Sequence, residues 1–311
     1  MTAPDLAEIA TVIVTWNQGD RLLACLSALE AAGAAQERIW IVDNGSQPPI
    51  EARLRERFPR VLLLRMERNL GFAAGHNAGV KAALEAGART LFLLNDDAFV
   101  EADALAALAE ALAADPTLAA VSPKVYYDGS ERIIQSVGVR VDVERAAVRM
   151  IGSGEVDRGQ HDAPADRDAL FGCAMLVRAA AWEQVGPLWE PFFNYAEEID
   201  WCLRARELGW RLRYIPQAAV WHHTSSSLGA HSPLRQYLIT RNMLYLRRRH
   251  TRGGWRARVG LARALLSNGR VIARFLRLGQ PALARATALG MLDYWLGRTG
   301  DARAPDLSLR S

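Results

Sequence analysis

Cysteine is scarce in this sequence, which has three in 311 residues and no CxxC pair. An odd number of scattered cysteines argues against a disulfide framework and favours a reducing compartment such as the cytoplasm. Long apolar runs are also missing, because no uninterrupted stretch approaches the roughly 18 residues of a membrane span. The first ten residues carry Asp5 and Glu8 and lack the basic segment of a secretory signal. The sequence therefore predicts a cytoplasmic protein that does not cross a bilayer.

Acidic residues are absent between Leu208 and Leu292, where fifteen arginines occur. The rest of the chain holds 23 basic and 34 acidic side chains, a net charge of −11, so the overall charge of +4 conceals an asymmetry. Apolar residues and arginines of segment 261–278 fall on opposite faces of a helix: Leu261, Leu265, Ile272 and Phe275 on one, and Arg263, Arg270, Arg274 and Arg277 on the other. Such a helix either lies on an anionic membrane or docks on the acidic body through its apolar face. No module that reads DNA or RNA accompanies the arginines, so no nucleic-acid partner is predicted.

The composition is that of a globular protein, 50% hydrophobic and 23% charged, with enough residues for about two domains. Apolar strand-like runs alternate with helix-like segments, the strands falling at 10–15, 39–42, 61–64 and 90–94. This alternation predicts an α/β fold, with a mostly parallel, Rossmann-like sheet flanked by helices. A polar loop at 152–168, a strand at 170–177, a helix at 197–208 and a strand at 211–215 stopped by Pro216 follow. From about Leu234 onward, the pattern is helical.

Polar side chains follow each of the first four predicted strands, at 15–17, 43–46, 68–77 and 95–97. Ligands of doubly wound sheets bind outside the carboxyl ends of the strands, so these positions are candidates for a binding site. Asp43 either faces a ligand or closes its strand as an Asx-turn. Asp96 and Asp97 repel each other unless a cation neutralises them, which favours a hard divalent metal. The alternative is that one of the two caps the following helix.

Seven segments in order resemble one enzyme family. They are VIVTWN at 12–17, IVDNGS at 41–46, NLGFAAGHNAG at 69–79, LLNDD at 93–97, GCAMLVR at 172–178, FNYAEEID at 193–200 and VWH at 220–222. Together they are similar to nucleotide-sugar glycosyltransferases of family 2, in the rhamnosyltransferase-like branch with a GT-A fold. The resemblance implies a GT-A catalytic domain at 1–232, with a nucleotide-binding half at about 1–125 and an acceptor half at about 126–232. A basic amphipathic helical extension would then occupy 233–311.

The resemblance also implies the roles of individual residues. Asn95-Asp-Asp97 corresponds to the family's DxD motif, so the metal, Mg²⁺ or Mn²⁺, is expected on Asp97 and His222. Without the resemblance, a lone histidine such as His222 is more often solvated or satisfied in the core. The residues expected to bind the nucleotide-sugar are Thr15, Asn17, Asp43, Asn69, Gly71, Gly75, Asn77, Asn95 and Asp96.

The segment at 197–200 corresponds to the family's acidic catalytic motif. The family's base falls on Glu198, where the family has Asp, and because the longer side chain changes its reach, a swap of roles with Glu197 stays open. Asp200 is a further catalytic candidate. The structural alternative has the two glutamates complementing a helix dipole, and Asp200 pairing with Arg204 one turn away.

The expected reaction is an inverting transfer of a sugar, rhamnose being one candidate, from a dTDP- or UDP-sugar to a hydroxyl of a glycan or lipid-linked glycan. The segment YLITRN at 237–242 also resembles a family segment near the acceptor side, which implies that Arg241 and Asn242 contact the acceptor. An arginine suits a phosphate of a lipid-linked acceptor. The basic helix suggests peripheral attachment to the inner face of the membrane. A second hypothesis is a catalytically weak protein that binds sugar nucleotides or acts as a scaffold. The oligomeric state is left open.

Overall fold

The structure is a computed structural model that describes residues 6–223 and 232–301, apart from the side chain of Arg256. The strands are β1 Ile9–Thr15, β2 Ile39–Asp43, β3 Leu62–Arg65, β4 Thr90–Asn95, β5 Ala98–Val100, β6 Leu118–Tyr127, β7 Ile134–Ser136, β8 Val139–Asp142, β9 Ala147–Met150, β10 Ala165–Asp166, β11 Ala174–Arg178 and β12 Arg211–His222. The helices are α1 Gly19–Ala31, α2 Glu51–Arg57, α3 Phe72–Glu85, α4 Ala104–Ala114, α5 Ala179–Val185, α6 Glu197–Glu207, α7 Pro233–His250, α8 Trp255–Arg277 and α9 Pro281–Trp295. Short 3-10 turns lie at Leu6–Glu8, Gln36–Arg38 and Glu190–Phe192.

The first half of the chain forms the parallel part of the central sheet. Its strands run in the order β3-β2-β1-β4, and each neighbouring pair is parallel. The predicted alternation of strands and helices is confirmed here, with ends that differ by a residue or two. Helix α3 lies so close to the sheet that a Cβ at Gly75 would be only 2.7 Å from Val14 Cγ1. The small residues of α3 therefore fit helix to sheet.

The second half of the sheet is mixed rather than parallel. Strand β11 inserts antiparallel between β4 and β6, and β12 lies parallel to β6. The expectation that a strand stops at Pro216 is wrong. A register shift between Ile215 and Ala219 leaves Pro216 out of the ladder, and β12 continues to His222. Because proline lacks only its own N–H, an irregularity at that point lets pairing resume.

The polar loop at 152–168 is tied to the sheet. Lys124 on β6 is 3% exposed, and its Nζ lies 2.8 Å from Asp157 and 2.7 Å from Asp162. The Tyr126 hydroxyl also donates to Asp157. A buried lysine with two carboxylate partners therefore holds the loop against the sheet.

The described part of the extension is helical, as predicted, and it packs on the acidic body. On α8, Gly260 and Ala264 are buried and Leu261 packs against the core beneath, while Arg263 and Arg270 are exposed. The apolar face therefore docks on the protein, which was one of the two alternatives for this helix. Among the described helices, none is long and apolar enough to span a membrane. Residues 224–231, beside the predicted domain boundary, and 302–311 of the predicted extension lie outside the described residues.

Candidate active site

A cavity of about 390 Å³ opens at the carboxyl ends of β1 and β4 and reaches the start of α6. Its lining includes nine of the residues that the sequence predicted for the site: Thr15, Asn69, Gly71, Asn95, Asp96, Asp97, Glu197, Glu198 and His222. The elements that carry them are far apart in the chain. The cavity has the position that doubly wound sheets give their ligands.

Asp97 and His222 meet because two strands end at the same place. Asp97 follows β4, and β12 delivers His222 through the irregularity at Pro216, with His222 in register with Ala98 of β5. The backbone N–H of His223 donates to the carbonyl of Asp97 at 3.0 Å. Strand β5 separates the Asp pair from α4, whose N-cap is Asp103. Neither Asp96 nor Asp97 caps that helix, so this alternative is wrong.

The donor set at this point suits a divalent cation. His222 Nε2 lies 3.1 Å from Asp97 Oδ1, while His222 Nδ1 lies 2.9 Å from Gln135 Oε1. With Nδ1–H donating to Gln135, Nε2 turns a lone pair toward a carboxylate. Two ligands of one cation, each at about 2.1 Å and at right angles, are about 3 Å apart, which matches this separation. The described residues contain no group of three or more His, Cys, Asp or Glu side chains that could hold a metal, so within them the site offers this pair, and substrate or water would supply further ligands.

Asn95 and Asp96 add to the polarity of this wall. Asn95 Nδ2 lies 3.2 Å from His222 Nε2, and Asn95 Oδ1 is buried without a hydrogen-bond partner among the described residues. Burial, followed by the charge of Asp97, raises the pKa of Asp96 to about 7. An unpartnered oxygen and a carboxyl group that resists ionisation both indicate a site that is completed by a cation or a hydrogen-bond donor.

A strained loop directly precedes the two glutamates, Glu197 and Glu198, at the start of α6. Phe193, Tyr195 and Ala196 have φ angles of 67°, 72° and 80°, although none of them is glycine. Such conformations cost of order 1–3 kcal/mol each and persist only where the surroundings enforce them. One support is α3, where Phe72 N donates to Phe193 O at 2.7 Å and where a Cβ at Gly71 would collide with that carbonyl. Gly71 is thus required for close approach of the loop.

The second support comes from α7. Asn242 Nδ2 donates to the carbonyls of Phe192, Asn194 and Tyr195 at 2.9, 2.8 and 2.9 Å. Arg241 Nη2 adds a bond to Phe192 O at 3.1 Å. Both side chains are fully buried and lie outside the cavity lining. Contrary to expectation, Arg241 and Asn242 therefore face the loop and not the cavity, and they hold the loop in place.

The electrostatics of the two glutamates differ. Burial raises the pKa of both, and for Glu197 the negative charge of Glu198 raises the pKa further. Backbone N–H groups of Glu198, Ile199 and Gly172 favour the ionised form of Glu198. Glu197 is 2% exposed and its Oε2 has no partner among the described residues. The pair therefore retains a proton more readily than isolated carboxylates, and Glu197 is the better place for it.

The sequence profile of glycosyl transferase family 2 matches residues 11–184, more than half of the chain. The chain belongs to glycosyl transferase family 2. As predicted, it is an enzyme of the glycosyltransferase class and of the rhamnosyltransferase-like branch, to which its curated relatives point.

Two of these curated relatives are rhamnosyltransferases. The N-acetylglucosaminyl-diphospho-decaprenol L-rhamnosyltransferase of Mycobacterium tuberculosis is 27% identical over 269 residues, which cover 80% of this chain and 87% of the relative. The dTDP-rhamnosyl transferase RfbF of Shigella flexneri is 25% identical over 254 residues, or 78% of this chain and 81% of the relative.

Solved structures confirm the predicted GT-A fold. The mannosyltransferase PcManGT of Pyrobaculum calidifontis, in complex with GDP-Man and Mn²⁺, superposes with a TM-score of 0.57 at 14% identity, covering 94% of this chain and 89% of that one. GalNAc-T7 with UDP, GalNAc and Mn²⁺ gives a TM-score of 0.55 at 15% identity, covering 69% of this chain and 43% of that one.

Several residues predicted for the site of this glycosyltransferase lie outside the lining of the cavity. Asp43 is fully buried and accepts from Ser46 N at 2.9 Å and from Arg65, in the manner of the Asx-turn alternative. Asn17 Oδ1 accepts from Gln47 N at 2.8 Å. Asn77 Oδ1 accepts from Leu188 N, and Asn77 Nδ2 donates to Leu188 O, both at 2.9 Å. Gly75 packs on β1. None of these four residues lines the cavity.

Asp200 is also enclosed. It pairs with Arg204 at 2.9 Å, which confirms the structural alternative, and with Arg249 at 2.6 Å and His250 at 2.9 Å. Hydrogen bonds from His250 and Arg249 outweigh burial and lower the pKa of Asp200 to about 2. Asp200 therefore links α6 to α7 and does not line the cavity.

Sequence reasoning missed Gln135 and the apolar wall of the glycosyltransferase cavity. Gln135 lies on β7, and only the folded structure brings it to His222. The apolar wall consists of Val148, Met150, Phe171, Ile239 and Met243. Helical spacing of Ile239 and Met243 is the only signal for this wall, and it does not distinguish a cavity from a core.

Proposed function

We propose that this glycosyltransferase moves a sugar, with inversion, from a nucleoside-diphosphate-sugar to a hydroxyl of a lipid-linked glycan. The observation that carries the proposal is the shared cavity: the carboxylate of Glu198, the pair Asp97–His222 and the polar end of β1 line a single chamber. A transferase needs a base, a site for a diphosphate and room for two substrates. The lining of the chamber supports the first two, with Glu198 as the candidate base and Asp97–His222 as the candidate site for the diphosphate.

The names of the relatives support the nature of the substrates. RfbF is a dTDP-rhamnosyl transferase, and the mycobacterial relative is named for a diphospho-decaprenol-linked acceptor. A dTDP- or UDP-sugar, with rhamnose as the sugar, is therefore the donor that we propose. The apolar wall, with Met150 and Met243, suits an acceptor that carries hydrocarbon next to its sugar.

Asp97 and His222 would hold a Mg²⁺ or Mn²⁺ ion, with Gln135 fixing the imidazole from behind. The ion would supply Lewis-acid stabilisation of the negative charge on the departing nucleoside diphosphate. Asn95 places its unpartnered oxygen at the same wall, where a donor hydroxyl can satisfy it.

Glu198 acts as the general base in this proposal. The acceptor oxygen attacks the anomeric carbon on the face opposite the diphosphate, its proton passes to Glu198, and the bond from the anomeric carbon to the phosphate oxygen breaks. One displacement inverts the configuration. Glu197 keeps a proton and thereby spares Glu198 a second adjacent negative charge, which supports the choice of Glu198 as the base.

A binding assay and a transfer assay together test this function. Thermal unfolding is measured with dTDP-rhamnose and UDP-sugars, with and without Mn²⁺, because a ligand that binds only the folded state raises its stability. Transfer is then measured from the stabilising donor to a diphospho-polyprenol-linked sugar. The proposal predicts a Mn²⁺-dependent shift and product with the inverted anomeric configuration. A shift without transfer to any acceptor would favour the alternative of a binding protein.

A further inference from the structure

The helical hairpin of α8 and α9, residues 255–296, has an unusual surface. Eight of the eleven large hydrophobic side chains that are exposed in the described residues lie on it. They are Trp255, Val259, Leu266, Leu276, Leu278, Leu292, Trp295 and Leu296. Singly exposed apolar residues need no explanation, but a concentration of them on one element marks an interaction surface.

The charge on this hairpin has one sign. Five exposed arginines on α8 have no acidic partner among the described residues: Arg258, Arg263, Arg270, Arg274 and Arg277. The one acidic residue in the hairpin sequence, Asp293, is fully buried. The surface therefore offers cations and hydrocarbon but no anion.

Exposed apolar side chains and arginines are interleaved along the outer face of α8. Val259, Ala262 and Leu266 are exposed and follow the helical repeat, so they form one line on the outer side of α8. Arg263 lies beside this line, Arg270 continues the line one turn beyond Leu266, and Arg274 follows one turn after Arg270. A helix that lies in a lipid interface has this arrangement, with its apolar line in the acyl region and its arginines at the headgroups.

The inner face of α8 places this surface beside the cavity. Gly260 packs against the backbone of Glu144, and Leu261 and Ala264 belong to the same apolar cluster as Val148 and Met150 of β9. Those two residues of β9 are part of the apolar wall of the cavity. Only α8 itself and the β-hairpin of β8 and β9 thus separate the outer face of α8 from the apolar wall.

We infer that the outer face of the α8–α9 hairpin docks on an anionic lipid surface and sets the apolar wall of the cavity beside it. Charge complementarity selects this occupant: anionic headgroups match the arginines, whereas a symmetric contact between two copies would set arginine rows against each other. The idea that the apolar wall receives a lipid-linked acceptor from this surface rests on the proposed function. The docking itself does not.

Flotation of the full chain with lipid vesicles tests the docking. The vesicles contain phosphatidylcholine alone or equal parts phosphatidylglycerol and phosphatidylcholine, at low and high salt. The first variant replaces Arg263, Arg270 and Arg274 by Gln, and its matched control replaces the exposed Arg57, Arg89 and Arg158. A second variant, Leu266→Glu, is matched by Leu208→Glu, which changes an exposed leucine on the catalytic body. Thermal unfolding verifies that each variant is folded.

The wild type and both controls should float with the anionic vesicles, and less so at high salt. The triple arginine variant should bind about 100-fold more weakly, which corresponds to about 3 kcal/mol for three charges. Leu266→Glu should also lose binding. Failure of the wild type to float, equal binding to neutral vesicles, or equal loss in variants and controls would overturn the inference. Self-association abolished by Leu266→Glu without vesicles would assign the face to a second copy instead. Because no donor or acceptor is present, these failures would leave the proposed function untouched.

Discussion

Asn242→Ala tests whether α7 enforces the loop that presents Glu198. The variant removes an amide whose two N–H groups are shared among three loop carbonyls at 2.8–2.9 Å and whose oxygen accepts from Arg241 Nε at 3.0 Å. At about 1 kcal/mol net for each of these two donors and one acceptor, about 3 kcal/mol of support is lost. The three left-handed residues of the loop, at 193, 195 and 196, cost of order 1–3 kcal/mol each. The lost support is therefore comparable to the strain that it offsets.

A loss of about 3 kcal/mol shifts the loop equilibrium by roughly 100-fold toward relaxed conformations. The kcat for sugar transfer should fall by about 10- to 100-fold, because Glu198 then spends little time in position. The KM for the donor should change little, since Asp97 and Thr15 are carried by other strands. Steady-state kinetics with varied donor separates the two parameters.

Thr287→Val is the matched control, because it removes hydrogen bonds in the same helical layer without touching the loop. The Thr287 hydroxyl is buried, donates to Leu283 O at 2.9 Å and accepts from Gln236 at 3.1 Å. It should lower the unfolding temperature and leave kcat close to that of the wild type. The reasoning is refuted if Asn242→Ala lowers only the unfolding temperature, or if both variants lose kcat alike.

Three further predictions concern other parts of the site. Asp97→Ala should abolish the Mn²⁺-dependent thermal shift while leaving the fold intact by circular dichroism; an unchanged shift would count against Asp97 as a metal ligand. Asp200→Asn should lower the free energy of unfolding at pH 7 by at least about 2 kcal/mol, since the folded pKa of about 2 lies below the unfolded value of 3.8. The difference in the free energy of unfolding between Asp200→Asn and the wild type should narrow as the pH falls from the unfolded to the folded pKa of Asp200. A difference that does not change with pH in urea titrations would contradict the role of the ionised Asp200 in these ion pairs. Finally, kcat/KM should rise with pH along an acid limb set by Glu198, whose pKa burial raises above the usual 4.5; a limb at or below 4.5 would argue against this base.

The parallel half of the fold follows from local sequence. Each of its strands is an apolar run and each helix has a clear apolar stripe, so strands and helices alternate as the sequence indicates. The residues at the ends of β1 and β4 reach the cavity for the same reason. Topology alone brings carboxyl ends of neighbouring parallel strands to one edge.

The rest of the site depends on contacts between distant residues. Pro216 ends a strand by any local rule, yet pairing with β6 carries β12 past it to His222. Asn242 reaches carbonyls 47 to 50 residues away in sequence, and Gln135 reaches His222 across 87 residues. No periodicity or spacing encodes such contacts. The same holds for Asp200, whose partners on α7 convert a catalytic candidate into a link between helices.

The most direct test of the account compares Glu198→Gln with Glu197→Gln. Transfer is measured with a radiolabelled donor, and donor binding is measured separately by Mn²⁺-dependent thermal shift. Glu198→Gln should lose transfer by 100-fold or more, within the range of general-base catalysis, and keep the thermal shift. Glu197→Gln, which keeps a neutral group beside Glu198, should retain most of the transfer. Full transfer by Glu198→Gln, with loss confined to Glu197→Gln, would contradict the assignment of the base.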